Sequence, residues 1–253
     1  MFEKRRIIVL LSCIMLLFSS TTAFAHSAWI ELPLTAELEE EIKFDTFWAD
    51  PDDEIEERDL TELSLRLRKP NEEIDDVDLI NRQTFFESNV EFEQEGEYTF
   101  FAVRPPARYR LSQYRDFAKS ITWVGEDNGV HQPVGLTVEI VPLFSAEQMQ
   151  SRDEIEVEVR YNGQPLPNAK IKLVQSIEPE GRNYPDLHNE SEYETVIADN
   201  NGRADLTVDR NYNYILKARY EASASDVEDE LDEDLSFFIR RVIFRSTLFL
   251  PAI

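Results

Sequence analysis

The feature that most constrains this chain is a period of two. Leu63, Leu65 and Leu67 alternate with Ser64, Arg66 and Arg68, and Val90 and Phe92 alternate with Glu91 and Glu93. Further on, Ile155, Val157 and Val159 interleave with Glu154, Glu156 and Glu158, and Ala169, Ile171 and Leu173 interleave with Lys170 and Lys172. Ala204, Leu206 and Val208, then Tyr212, Tyr214, Leu216 and Ala218, continue the pattern. Neighbouring side chains of an extended strand point to opposite faces, so each run turns an apolar face inward and a polar face to water. Turn residues punctuate the runs: Gly96 before the aromatic-rich stretch 97–104, Asn162-Gly163 after Tyr161, and Asp199-Asn200-Asn201-Gly202 before Arg203. Asn-Gly is a favoured two-residue hairpin turn, because both positions take positive φ readily. No convincing amphipathic helix competes with these strands. The expectation is an all-β fold of antiparallel β-sandwich modules, in which 90–104 forms a hairpin and Glu91, Glu93, Glu154, Glu156 and Glu158 face solvent.

The alternation pauses at Leu143-Phe144-Ser145-Ala146-Glu147-Gln148-Met149, long enough for one helical turn. This pause divides the chain into an N-terminal β-sandwich over residues 26–142 and a second sandwich, immunoglobulin-like or transthyretin-like, over residues 151–253. Arg104-Pro105-Pro106 ends a strand, since proline has no N–H for a sheet ladder. The apolar tail after Ser236 is interrupted by Arg240, Arg241 and Arg245 and reads as a final strand.

Residues 1–25 read as an address. A basic start with Lys4, Arg5 and Arg6 precedes an apolar run over 7–18, and the stretch ends in Ala23-Phe24-Ala25. That is the layout of a secretory signal peptide cut after Ala25, which leaves His26 as the mature terminus. A lipoprotein-type site at Cys13 is the weaker reading, because the strongly apolar Ile14-Met15-Leu16-Leu17-Phe18 would follow the cysteine. The expected location is periplasmic or secreted, with no transmembrane segment in the mature chain, since no stretch approaches the roughly 18 apolar residues a spanning helix needs. Cys13 lies in the address, so the mature protein has no cysteine and is held together by packing without disulfides.

Charge narrows the partners. The whole chain carries 26 Lys plus Arg against 51 Asp plus Glu, and the part after Ala25 carries 23 against 50, a net of −27. Such a surface repels phosphate backbones, so nucleic acid is not an expected partner. Aromatics at 11% argue for a packed core over a disordered chain. The acidic runs near 50–57 and 225–234 read first as solvated loops.

Three histidines remain as candidate metal ligands: His26, His131 and His188. His26 is the sharpest, because a terminal histidine offers an α-amine and an imidazole in one chelate. Amine and imidazole nitrogens suit Ni²⁺, Co²⁺ and Cu²⁺ better than carboxylate oxygens do. His131 lies in the loop Gly129-Val130-His131-Gln132-Pro133, and His188 in the longest inter-strand loop of the second module. Neither has ligand spacing of its own, so whether the three converge is a question of three dimensions. Glu31, Asp50, Asp52 and Asp53 are available carboxylates, undistinguished among so many. Catalysis has no supporting motif: there is no Gly-x-Ser-x-Gly, no His-Glu-x-x-His and no phosphate-cradling glycine loop. The chain is therefore not expected to be an enzyme. Trp29, Trp48 and Trp123 read more readily as core or rim packing than as a sugar-stacking platform.

Several segments together resemble an exported two-domain family described as the periplasmic component of cobalt and nickel uptake systems, or as nickel-uptake substrate-binding domains. The resemblance rests on Ala25-His26-Ser27-Ala28-Trp29-Ile30-Glu31-Leu32-Pro33 and on Val138-Glu139-Ile140-Val141-Pro142. It extends through Tyr161-Asn162-Gly163-Gln164-Pro165-Leu166-Pro167-Asn168-Ala169, Ala198-Asp199-Asn200-Asn201-Gly202-Arg203-Ala204 and the stretch 214–220. It implies a metal-handling protein serving a membrane transporter or outer-membrane receptor. The alternative from the residues alone is a non-catalytic envelope scaffold, binding protein or glycan without metal.

Overall fold

The computed structural model describes residues 27–49, 63–125, 131–185, 193–227, 231 and 239–253. The signal-peptide reading, His26, His188, Asp50, Asp52, Asp53 and most of both acidic runs lie outside the described residues. Numbered in chain order, the strands form three sheets. The first runs β1 (Ser27–Glu31), β3 (Glu41–Ala49), β7 (Phe86–Glu91), β6 (Ile80–Asn81), antiparallel throughout. The second and largest runs β15 (Glu194–Ile197), β14 (Lys170–Gln175), β17 (Tyr214–Ser223), β18 (Arg241–Leu250), β10 (Ser112–Val124), β8 (Gly96–Val103), β4 (Ser64–Arg68), β5 (Ile74–Asp76). Short β2 (Thr35–Ala36) and β9 (Ala107–Tyr109) also pair with β10. The third comprises β11 (Val138–Pro142), β12 (Glu154–Tyr161) and β13 (Gln164–Pro165), with β16 (Arg203–Thr207) on the far side of β12. The all-β sandwich architecture is thus as the alternation implied.

The alternation of β10 shows how one sheet serves two cores. Phe117, Ile121 and Trp123 enter a large core shared with Val138, Ile140, Val157 and Val159 of the third sheet. Ala118 and Val124 enter a second core with Ala28, Ile30, Phe44 and Phe100. β1 is likewise split: Ala28 and Ile30 join the second core, while Trp29 stacks on Phe47 at 4.8 Å in a third cluster with Val174, Ile215 and Phe249. That third cluster fastens the first sheet to strands from the far half of the chain.

The pause at 143–149 holds α1 (Ala146–Ser151), capped by Ser145. Its hydroxyl accepts from the Gln148 amide while the Gln148 side chain accepts from the Ser145 amide. The sheets do not part at this pause, however. β18 lies between β17 and β10, and pairs with β10 in parallel from Ser112↔Arg241 to Lys119↔Leu248. Strands from before residue 142 and after residue 151 therefore share one continuous ladder. The apolar tail does form a strand, and it occupies the middle of the largest sheet.

Asn162-Gly163 forms the expected hairpin between β12 and β13, with φ of 50° and 74°. Two expectations fail. Residues 90–104 do not form a hairpin, since β7 pairs with β3 in the first sheet and β8 with β4 and β10 in the second. The chain turns a corner between layers because both strands must bury apolar side chains in the same core. Phe92 and Tyr98 meet edge to face at 4.8 Å, and the Tyr98 hydroxyl accepts from the Gln94 amide at 2.9 Å. Glu158 is also not solvent-facing: only 4% of it is exposed, because Arg160 at 2.6 Å and Arg203 cover it.

Candidate functional site

β1 is anchored along its whole length. All five residues are buried, and each pairs with β3, from Ser27↔Ala49 to Glu31↔Asp45. The Thr247 hydroxyl of β18 donates to the Ala28 carbonyl at 2.6 Å, tying this strand to the second sheet as well.

His131 is buried in a polar clasp between the second and third sheets. Its Nδ1 lies 2.5 Å from Glu97 Oε2, and its Nε2 meets the Phe144 carbonyl. Its ring packs edge-on against Trp123, centroids 5.1 Å apart. Both ring nitrogens are engaged by acceptors, which gives the ring a bridging role from β8 to Phe144, two residues before α1. Glu97 is held in turn by Arg68 at 2.7 Å and by the Thr99 hydroxyl at 2.8 Å. Burial pushes the Glu97 carboxyl up, but His131, Thr99 and Arg68 together outweigh it and hold it below the usual carboxylate range. The remaining Arg68 donors reach the Gln132 and Pro133 carbonyls at 2.9 and 3.1 Å.

The same clasp contains Lys119 and Glu139. Their side chains are 1% and 2% exposed and 2.8 Å apart. Glu139 also accepts from the amides of Val134, Gly135 and Leu136 at 2.9, 3.0 and 3.3 Å, which fixes the entry to β11. Burial pulls the Lys119 ammonium below its ordinary range, against the pull of Glu139. Sequence reasoning missed this pair, although a lysine in Phe117-Ala118-Lys119-Ser120-Ile121 and a glutamate in Val138-Glu139-Ile140-Val141 are the signature. A charge at a core-facing position of an apolar strand needs a buried partner.

At the far end of β1, Glu31 forms a second polar cluster. It accepts from the Trp29 indole at 3.0 Å and pairs with Arg182 at 2.8 Å, while Arg182 also reaches Asp45 at 2.8 Å. Burial is the largest influence and raises the Glu31 carboxyl above its normal range despite both partners. Burial and the adjacent Glu31 charge likewise push the Tyr184 phenol up.

Of the sequence candidates, the structure brings His131 together with Glu97 and does not gather it with further ligands. Among the described residues, no group of three or more His, Cys, Asp or Glu is placed to hold a metal ion. Glu31 is committed to Arg182. Trp29 and Trp123 are both 2% exposed and belong to cores, whereas Trp48 lies at the rim of a cleft. No helix among the described residues is long and apolar enough to cross a membrane.

No curated protein matches the chain. Among solved structures, the chain is similar to a DUF4785 family protein from Legionella pneumophila at 11% identity. The match covers 75% of this chain and 51% of that one, with a TM-score of 0.30. It is also similar to Salmonella alpha-2-macroglobulin reacted with methylamine, at 13% identity, covering 91% of this chain and 15% of that one, with a TM-score of 0.29. The chain thus spans about half the length of the first and a small part of the second. A family model described as a domain of unknown function (DUF4198) matches residues 23–222, most of the chain, and the protein belongs to that family.

Proposed function

We propose that this is an exported metal-handling protein that takes up a Ni²⁺- or Co²⁺-type ion through the amine and imidazole of His26 and passes it to a membrane uptake system. The observation that carries this reading is the complete burial and pairing of Ser27–Glu31, directly after the expected cleavage point. A strand that is already paired and buried from Ser27 onward needs no further ordering when an ion binds beside it, which lowers the cost of binding. A two-nitrogen chelate leaves coordination positions open, which suits an ion that must be handed on. The amine must lose a proton to bind, so affinity falls below neutral pH. Calorimetric titration of the processed protein with Ni²⁺ tests this. One extra residue before His26 abolishes the site if the reading holds, and unchanged affinity removes His26 from it.

A second reading, a non-catalytic scaffold or binding module without metal, is favoured by the closure of His131 within the clasp. Elemental analysis of the native, processed protein separates the two: stoichiometric transition metal supports the first, and its absence together with a retained envelope partner supports the second.

A further inference from the structure

The arginines of this acidic chain are unevenly spread. Between 104 and 116 there are four, Arg104, Arg108, Arg110 and Arg115, against the single acid Asp116, and Arg245 follows on the neighbouring strand. The fold gathers part of this set into a cleft lined by Trp48, Arg104, Ala107, Arg108, Tyr109, Tyr114 and Arg245, about 310 Å³ with its open mouth included. Three guanidinium groups and three aromatic rings line it, with no acidic side chain among the described lining residues.

The geometry is built from below. Asp116 is 1% exposed and holds Arg104 Nη1 at 3.3 Å and Arg245 Nε at 2.5 Å. The Arg104 amide also donates to the Asp116 carbonyl at 3.1 Å. One buried carboxylate therefore orients two arginines from different chain segments. Above it, the Arg104 guanidinium lies 3.9 Å over the Trp48 ring and that of Arg245 lies 4.9 Å from the Tyr114 ring centre. Arg108 and Tyr109 come from β9, the short strand that closes one wall. Side chains that are stacked and paired in this way are already ordered, so less freedom is lost when a ligand docks.

We propose that this cleft binds a small organic carboxylate bearing an aromatic ring, the carboxylate held by the arginines and the ring packed among Trp48, Tyr109 and Tyr114. Guanidinium forks match carboxylates in charge and in planar geometry, and aromatic walls favour a ring in offset or edge contact. The net charge of −25 does not forbid this. At physiological ionic strength screening acts over about 8 Å, so acids well beyond that distance contribute little at the cleft. The cleft lies beside the start of β1, since Trp48 is the ladder partner of Ala28. The proposal does not rest on metal binding by His26.

Benzoate is the probe, titrated into metal-free processed protein and followed by calorimetry and tryptophan fluorescence. Benzamide, with the same shape and no charge, and inorganic phosphate, with charge and no ring, are the comparison arms. The expected result is saturable benzoate binding with benzamide and phosphate each weaker by roughly tenfold or more. Arg108→Gln is expected to weaken benzoate by a similar factor, and Tyr109→Leu to weaken it without altering the benzamide-to-benzoate preference. Both changes fall on a short exposed-edge strand, and an unaltered thermal midpoint verifies that the fold is kept. Absence of saturable binding up to about 10 mM, equal binding of benzamide or phosphate, or unchanged affinity in Arg108→Gln overturns the proposal.

Discussion

Lys119 and Glu139 face each other across two different sheets, 2.8 Å apart, and almost no water reaches either side chain. β10 and β11 are thereby pinned at one point inside the larger core. Removing one partner strands a buried charge, which costs about 3–5 kcal/mol. Lys119→Met alone and Glu139→Gln alone are each expected to lose stability on that scale in urea unfolding. The double variant is expected to lose less than the sum, and a strictly additive result would show that the two do not act as a pair.

Acid should unfasten the clasp through Glu97. Its folded-state carboxyl lies below the ordinary value near 4.5. The unfolded chain therefore binds the proton first, and the contribution is present above about pH 4.5 and lost as pH falls through the folded-state value. Glu31 has the opposite sign: its raised carboxyl favours the fold at low pH, an advantage lost as pH rises through the folded value. Lowering pH also relieves the general acidic self-repulsion, so the informative quantity is a difference. Between pH 5 and pH 3, wild type is expected to lose more unfolding free energy than Glu97→Gln, with matched slopes contradicting the assignment.

His131→Gln tests whether the histidine is structural. Glutamine cannot span Glu97 and the Phe144 carbonyl as the imidazole does, and the loss is expected to be about 1–3 kcal/mol. Ni²⁺ stoichiometry of the processed protein is expected to stay the same. A lost metal site with unchanged thermal stability would reassign His131 as a ligand.

Gly202 marks a close backbone approach. Its φ is +74°, and a Cβ there would meet the Val159 carbonyl oxygen at 2.6 Å and the Leu166 nitrogen at 2.9 Å. Those atoms already hydrogen-bond, Leu166 N–H to Val159 O at 2.8 Å, with Val159 N–H to Gly202 O at 2.8 Å. Gly202→Ala is expected to lower the thermal midpoint by several degrees, on the order of 2 kcal/mol. A midpoint within a degree of wild type would mean that this crossing relaxes freely.

What the sequence disclosed follows from what alternation encodes. A period of two tells which side chains share a face, so the strands about Leu65, Val157, Ile171 and Leu216 were legible one by one. It is silent about which strand lies alongside. That is why Val90 and Tyr98 looked like the two arms of a hairpin, and why the parallel pairing of Ser112–Lys119 with Arg241–Leu248 had no local trace. The candidate site divides the same way. His131 stood out by residue type, but its partners Glu97 and Phe144 come from 34 residues before and 13 after. The cleft arginines were visible as residues, while the buried Asp116 that aligns two of them was hidden among fifty-one acids.

The place of β18 in the largest sheet bears on how the protein reaches its native state. A ribosome or an export channel delivers the chain from one end, and β18 emerges after every other strand described. Until it arrives, β10 and β17 each present an open edge, and the larger core lacks Val242, Phe244, Leu248 and Leu250. The second core draws only on residues 28–124, whereas the larger one joins residues from both sides of the pause and is completed last. A keystone that arrives last ties the completion of the shared core, and with it the joining of both halves, to one late event.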